Sequence, residues 1–459
     1  MIIPMNQYIR SLTLTLSIFI PLTFINVSES SELSEAKITL NDLYLFDEIS
    51  SIDVSHSAKQ IAYSVSSVDE KKDRYRNDIW LLDVNKNKKK VLIKGRPWVG
   101  KTKFSPDDTL VGYLAPGRGQ YSEYQQIWTI NTNYRTKRQL TKLKANINDF
   151  EWSPDGTQMI LVADSISVDK KTKSSVQTQK PIVIDRYYFK EDGKEFLGDE
   201  RQHLHLLDIK SRTTKQLTKG TSNEILPSWS PDSKKIAYVT KTGEMDRTNN
   251  YDVYVLEIDS TNNPIQLTTN LGADSSSSRP QWSPDGKKIA YLHGGDPALL
   301  WYALQELAVI DLDTKINSIL TKELDRNVSS PQWSDDGQSI YFVIEDNMKS
   351  QLAKYSLTNQ KIKKITPSNY YISGWAKNYV VRNGKIGLIL SNTNSPDEVY
   401  FYDENSLSQQ SHHNSELLSS RKILKTETIS FKAADGEELF GMMIKPDNFD
   451  PSKQYPLII

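Results

Sequence analysis

One phrase recurs five times along the chain: KFSPDD at 103–108, EWSPDG at 151–156, SWSPDS at 228–233, QWSPDG at 281–286 and QWSDDG at 332–337. Ser, a Pro with φ already set, Asp and then Gly suit a type I turn that closes into a bulged hairpin, so each copy marks a tight reversal between strands. Where Gly is lost, at Asp108 and Ser233, the turn is expected to survive at some cost. An alternating apolar strand follows each phrase, as in IAYV at 236–239, IAYL at 289–292 and IYFV at 340–343. A further strand comes next in each unit, seen as DIWLLDV (78–84), QIWTINT (126–132), HLHLLDI (203–209), DVYVLEI (252–258), ELAVIDL (306–312) and QLAKYSL (351–357). It usually leads into a Leu-Thr phrase such as Leu217-Thr218.

The aromatic that precedes each turn stands at 104, 152, 229, 282 and 333, spacings of 48, 77, 53 and 51 residues. Such a period suits one four-stranded sheet of roughly 40–50 residues per unit, with an insertion in the long interval. Weaker units at 54–59 (VSHSAK, leading into IAYSV) and 374–377 (GWAK, leading to EVYFY at 398–402) bring the count to seven. A lone sheet of this kind exposes two apolar faces, and a closed ring hides them, so the expected fold is all-β, a seven-bladed β-propeller. Phe104, Trp152, Trp229, Trp282 and Trp333 occupy the same register in every unit, which reads as core between blades and not as a stack for a ligand. The insertion, near 165–200, begins polar and Lys-rich. It continues as PIVIDRYYFKEDGKEFLGDE, with a strand-like run, a turn at Asp192-Gly193 and a charged cluster at Asp199-Glu200-Arg201, and is expected to project over the ring or toward a neighbouring domain.

Charge and composition remove several functions. Lys plus Arg, 57, equals Asp plus Glu, 57, so no net field attracts nucleic acid or an anionic membrane. Zero cysteines exclude thiolate zinc sites, disulfides and a cysteine nucleophile. Arg10 is the only charge in the first 24 residues, ahead of the apolar stretch LTLTLSIFIPLTF at 12–24. That pattern predicts a signal peptide over 1–30 and a periplasmic or secreted protein. An uncleaved N-terminal anchor is the alternative, since no Ala-x-Ala site follows.

After about residue 425 the grammar changes to ETISFKAADGEELFGMMIKPDNFDPSKQYPLII, with a hairpin turn expected at Asp435-Gly436 and an apolar strand at 455–459. A propeller of Trp-Ser-Pro-Asp-Gly phrases followed by an Asp-Gly hairpin, a Lys-Pro and a Tyr-Pro-Leu-Ile-Ile strand resembles the prolyl oligopeptidase family of serine peptidases. Leu40-Asn41-Asp42-Leu43, a helix start with Thr39 as its cap, and Pro181-Ile182-Val183-Ile184-Asp185-Arg186 are similar to the acylaminoacyl peptidases and bacterial dipeptidyl peptidases of that family. The resemblance implies a propeller over 37–424 and the first strands of an α/β-hydrolase domain over 425–459, where this sequence stops. In the family, a His-Gly-Gly segment, a Gly-x-Ser-x-Gly elbow, an Asp and a His come next; all are needed for acyl transfer by serine, and none follows here. The expectation is the substrate-gating part of an exported enzyme acting on short peptides, truncated and inactive alone, with no catalytic, cofactor or metal residue in this chain. A standalone periplasmic binding propeller of the Tol-system type, acting through protein–protein contact, is the alternative from another class.

Five local patterns imitate sites. His293-Gly294-Gly295 looks like the oxyanion segment but is expected in a loop between blade strands. His203 and His205 share a strand face, as a metal pair would, yet lack a third ligand nearby in sequence. His412-His413 is expected in a loop. Glu437-Glu438 is expected on a solvated face, and Lys88-Lys89-Lys90 in a surface loop.

Overall fold

In every phrase the turn forms as its residues dictate. The N–H of the residue after Asp bonds the Ser carbonyl (Asp108, Gly156, Ser233, Gly286 and Gly337, 2.9–3.0 Å), and the Ser hydroxyl donates to the Asp two residues on, at 2.6 Å for Ser153, Ser230, Ser283 and Ser334. The residue after Asp is left-handed, with φ of 59 at Asp108, 72 at Gly156, 60 at Ser233, 71 at Gly286 and 68 at Gly337. A Cβ there costs about 1–2 kcal/mol. The two non-glycine residues offset it with a bond to the preceding blade: the Asp108 carboxylate accepts the His56 and Ser57 N–H groups at 2.6 and 2.9 Å, and Ser233 Oγ accepts the Asp155 N–H at 3.1 Å. Where glycine remains, the proline of the preceding phrase packs against it, Pro106 on Gly156 and Pro231 on Gly286.

The computed structural model describes residues 36–165, 184, 186–192, 195–244, 246–260, 263–372 and 379–458. Among them, seven antiparallel sheets, six of four strands and one of five, form the blades of a propeller, each built from strands consecutive in the chain except in blade 3, where the small hairpin of Lys190–Glu191 with Glu195–Phe196 comes between the second and third strands. The inner strands are Glu48–Val54, Gly100–Phe104, Ile147–Trp152, Glu224–Trp229, Gln281–Trp282, Val328–Trp333 and, in blade 7, the broken pair Tyr371–Ile372 and Tyr379–Arg382. The strand after each phrase is second, and the DIWLLDV-type strand is third. The Leu-Thr phrase ends the outer strand, where Thr141, Thr218, Thr268, Thr321 and Thr366 each accept an N–H of their own blade's third strand at 2.8–3.0 Å.

Aromatic residues at the shared register are core, as their repetition indicated. Each indole also donates to a carbonyl of the preceding inner strand: Trp152 to Lys103 at 3.3 Å, Trp229 to Glu151 at 3.2 Å, Trp282 to Ser228 at 3.3 Å and Trp333 to Gln281 at 3.0 Å.

Blade 7 departs from the expected unit. Residues 374–377 lie outside the described residues, and the hairpin turns at Asn383-Gly384, with φ of 50 and 70, between Tyr379–Arg382 and Lys385–Asn392. The two-residue turn replaces the Ser-Pro-Asp phrase, and blade 6 adapts to it: Asp335, where other phrases hold Pro, accepts the Gly384 N–H at 3.1 Å. Lys88-Lys89-Lys90 is no loop, because it opens the outer strand Lys88–Arg96 of blade 1, an exposed edge on which lysines discourage further pairing. Residues 455–458 form no strand, having no neighbouring strand to pair with among the described residues. The expected signal peptide also lies outside the described residues.

Among the described residues, no strand is shared between the first and last blades. Their seam is closed by an apolar cluster in which Ile52, Val54 and Tyr63 of blade 1 meet Ile389, Val399 and Phe401 of blade 7. Gly387 makes that approach possible, since a Cβ there would stand 2.5 Å from Val54 Cγ2. Asp47 and Asn414 exchange hydrogen bonds of 2.8 and 3.0 Å, and Arg421 holds Asp42 through two nitrogens at 2.7 and 3.0 Å. Asp42 belongs to the short 3-10 helix Leu40–Leu45, where its carboxylate also accepts the Thr39 N–H at 2.7 Å, as the cap reading anticipated.

Inner strands run from one face of the ring to the phrase face, so whatever follows a second or an outer strand returns to the first face. The blade 3 insertion follows a second strand; residues 36–47 and 410–422 and the hairpin Thr426–Lys432 with Glu438–Ile444 follow or precede strands that end there too. Leu40, Leu43, Phe431 and Ile444 are all more than half exposed on these elements.

Candidate functional site: the central channel

The inner strands of all seven blades surround a cavity of about 750 Å³ on the ring axis. Alternation along a strand sends the residues one and three places before each aromatic inward. Bulges interrupt the inner strands of blades 2, 4 and 6 just before the aromatic, at 100–103, 225–228 and 329–332, and Lys101, Leu226 and Ser330 take left-handed φ of 45, 53 and 55 there. Such bulges bend a strand and re-aim a side chain.

Five charges meet in this lining. Arg279 of blade 5 reaches Asp149 and Glu151 of blade 3 at 2.7 and 3.2 Å, and on the way bonds the Pro227 carbonyl of blade 4. Lys103 of blade 2 pairs with Glu151 at 3.2 Å, and Lys101 with Asp149 and, at 3.6 Å, with Glu151. Burial alone would raise the Glu151 carboxyl, but Arg279, Lys103 and Lys101 outweigh it and hold it far below the usual carboxylate range. Burial, with repulsion from Arg279, presses the Lys101 amine well below the usual lysine range. The network laces blades 2 to 5 together. The remaining arc, blades 6, 7 and 1, presents Gln332, Tyr379, Arg382, Asp53 and His56 to the same cavity. Burial and the charge of Arg382 lower the His56 imidazole.

None of these channel residues was singled out from the sequence. The signal was present as period-two charge just before the aromatics, in Lys101-Thr102-Lys103 and Asp149-Phe150-Glu151, and it is weak because charged residues on exposed strand faces look the same.

The five imitations have structural explanations. His293 and Gly294 end the second strand of blade 5, Lys288–Gly294, and do not follow it as a loop. Gly294 is there because a Cβ would collide with Ala273 N at 2.4 Å. His203 is buried and spends Nδ1 on Glu224 Oε2 at 2.7 Å, while burial lowers its neighbour His205 to about 4. No group of three or more His, Asp or Glu side chains is placed to hold a metal ion among the described residues. His413, in the turn after blade 7, packs edge-on against Trp80 and Tyr63 of blade 1, centroids 5.2 and 5.7 Å apart, and its Nε2 meets the Tyr63 hydroxyl at 3.2 Å. Glu437 and Glu438 are solvated.

The insertion is tied to the adjacent loop of blade 4. Arg186 grips Asp246 through Nε at 3.0 Å and Nη2 at 2.6 Å, and Arg247 stacks on Tyr187 at 5.1 Å. Phe189 and Phe196 stack beside them, centroids 6.4 Å apart.

No family model matches the chain. A dipeptidyl-peptidase 5 from Porphyromonas endodontalis is 24% identical over 482 aligned residues, which cover 99% of this chain and 67% of that protein. A dipeptidyl-peptidase 5 from Porphyromonas gingivalis is 28% identical over 243 residues, half of this chain and 34% of the relative. Among solved structures, the acylaminoacyl peptidase of Pyrococcus horikoshii superposes with a TM-score of 0.71 at 16% identity, over 89% of this chain and 59% of that one. The matches thus span about a third to two thirds of these relatives' own length.

Proposed function

Because the chain belongs to the prolyl oligopeptidase family of serine peptidases, we propose that it is the propeller portion of an exported enzyme that hydrolyses short peptides, and that the propeller selects substrate by size. The observation that supports this most is an alignment with a dipeptidyl peptidase that runs past the seventh blade and through the hairpin, covering 99% of the chain.

In this reading a hydrolase domain carrying the Ser, Asp and His sits on the face where the hairpin, the Leu40–Leu45 helix and the insertion gather. Their exposed apolar side chains would be covered by it. A ring of this kind admits an extended peptide and excludes a folded one. The charged bridge from Arg279 to Lys101 narrows the passage further on one side, while its pairs hold one another in place and leave little free charge to bind a passing chain.

The test uses the native gene product in its full length. Dipeptidyl and acyl-aminoacyl fluorogenic amides should be cleaved and a fluorophosphonate should label a serine, while a folded protein substrate stays intact. Absence of both cleavage and labelling from a folded, full-length product would falsify the assignment.

A further inference from the structure

Blade 7 turns on Asn383-Gly384, the one Asn-Gly pair in the chain, where five other blades turn on the Ser-Pro-Asp or Ser-Asp-Asp phrase. The turn asks for both residues. A two-residue hairpin turn of this kind needs left-handed backbone at both places, φ of 50 and 70 here, which asparagine tolerates better than most side chains and glycine adopts freely. The same pair is the one in which an asparagine is most easily lost. With no side chain on the following residue, its main-chain nitrogen can close on the asparagine Cγ. Asn383 is exposed to solvent.

Both groups that this closure needs are tied to neighbouring blades. The Gly384 N–H, whose nitrogen would attack, is donated to Asp335 Oδ2 of blade 6 at 3.1 Å, and Asn383 Nδ2, which would leave, donates to the His56 carbonyl of blade 1 at 2.6 Å. Asp335 stands where the other four phrases hold Pro106, Pro154, Pro231 and Pro284, so the one phrase without proline is the one that faces the Asn-Gly turn. A carboxylate on that N–H also opposes the loss of its proton, which the attack requires. The contact to His56 carries weight for the ring. Its peptide is held from both sides, the N–H by Asp108 of blade 2 at 2.6 Å and the carbonyl by Asn383 of blade 7, so the phrase face is linked from blade 6 through 7 and 1 to 2.

We propose that Asn383 is a deamidation site whose conversion loosens the seam of blades 7 and 1, and that Asp335 holds the reaction back. The Gly384 nitrogen bonds to Asn383 Cγ, the Cγ–Nδ2 bond breaks, and the nitrogen's proton leaves with the amide as ammonia. Water then opens the cyclic imide at either carbonyl and gives an aspartate or an isoaspartate. Either product puts a carboxylate, which cannot donate, where the His56 carbonyl had its donor, and does so next to Asp335 and Glu404, whose carboxylate lies beside Gly384. The isoaspartate also routes the main chain through an added methylene, so a two-residue turn no longer closes Arg382 onto Lys385. The inference does not rest on the peptidase reading, since it concerns only the ring.

Ageing the full chain in mildly alkaline buffer tests it, with isoaspartate at 383 followed by peptide mapping and compared with a free peptide of residues 379–388. Breaking one hydrogen bond to a charged acceptor before attack should make the folded parent about tenfold slower than the peptide, and Asp335→Ala should recover most of that factor. Asn383→Gln, with a longer side chain, should stay unmodified throughout. The deamidated fraction should melt about 2 °C below fresh protein, with faster hydrogen exchange in blades 7 and 1, and Asn383→Asp should reproduce the lost contact without ageing. If position 383 stays intact in both parent and Asp335→Ala while the peptide is consumed, it is no modification site. Equal rates in parent and Asp335→Ala would remove the restraint assigned to Asp335. If the aged protein and Asn383→Asp both melt as the fresh parent does, the seam does not depend on the amide. Should Asp335→Ala fail to fold, the parent's rate against the peptide and the melting of Asn383→Asp still decide the outcome.

Discussion

In blades 3 to 6 the tryptophan at the shared register holds the backbone of the channel-facing residue of the blade before it: Trp152 holds Lys103, and Trp229 holds Glu151. The core residue thus sets the position of a channel charge through one indole N–H. Trp229→Phe keeps most of the packing and loses that bond, so urea denaturation should show a loss of about 1 kcal/mol, whereas Trp229→Ala should lose about 3–5 kcal/mol. An equal loss in both variants would mean that the hydrogen bond, and not the ring, carries the contact. Phe104 shows the natural form of the change: it has no N–H to give, and its own backbone N–H is held instead by Asp53 Oδ2 at 2.7 Å. The Ser-Pro-Asp turns were legible from sequence because every determinant lies within six residues. The partner of each indole was not, because it lies 49 to 78 residues away.

Among the elements, the seam between blades 7 and 1 is the one that chain connectivity does not sew. Gly387→Val would drive a side chain into Val54 and should cost about 1–3 kcal/mol, read as a lower urea midpoint with the largest gain in hydrogen exchange in blades 1 and 7. Two imidazoles, His56 and His413, sit at this seam, and burial depresses both, with Arg382 adding to the effect on His56. A histidine depressed on folding binds its proton more tightly when unfolded, so stability is full above pH 6.5 and falls as pH drops below that value. His413→Gln should flatten the decline in stability between pH 6.5 and 5; a slope as steep as the parent's would place the sensitivity elsewhere, His205 being the other depressed imidazole. Sequence reading found the seven blades by their phrases or strands, the seventh by its strand EVYFY at 398–402, but missed the turn that joins that blade's hairpin. An Asn-Gly turn at 383–384 carries no trace of the repeat, and the cue at Trp375 lay upstream of the true hairpin. His413 was read as loop, correctly for its backbone, but packing against Trp80 and Tyr63 comes from the opposite end of the chain and leaves no local mark.

At the scale of the molecule, the ring is unevenly braced: five charges lace blades 2 to 5, and an apolar cluster with a few hydrogen bonds closes blades 7 and 1. If the channel filters peptides, the bridge that narrows it controls the cutoff. Arg279 is the element to remove, because it spans from blade 5 to blade 3. Arg279→Ala leaves two carboxylates, Asp149 and Glu151, facing two amines, Lys101 and Lys103, so the charge remains balanced and the fold should persist at a cost of about 1–3 kcal/mol. In the full-length gene product, kcat/KM for an octapeptide should rise about tenfold relative to that for a dipeptidyl reporter, a barrier change near 1.4 kcal/mol, while the reporter's own rate barely moves. The reporter is small enough to pass the bridge in either form, which makes it the internal control for damage to the chemistry. Should both substrates change by the same factor, the channel is not the route, and peptides reach the catalytic face from the side.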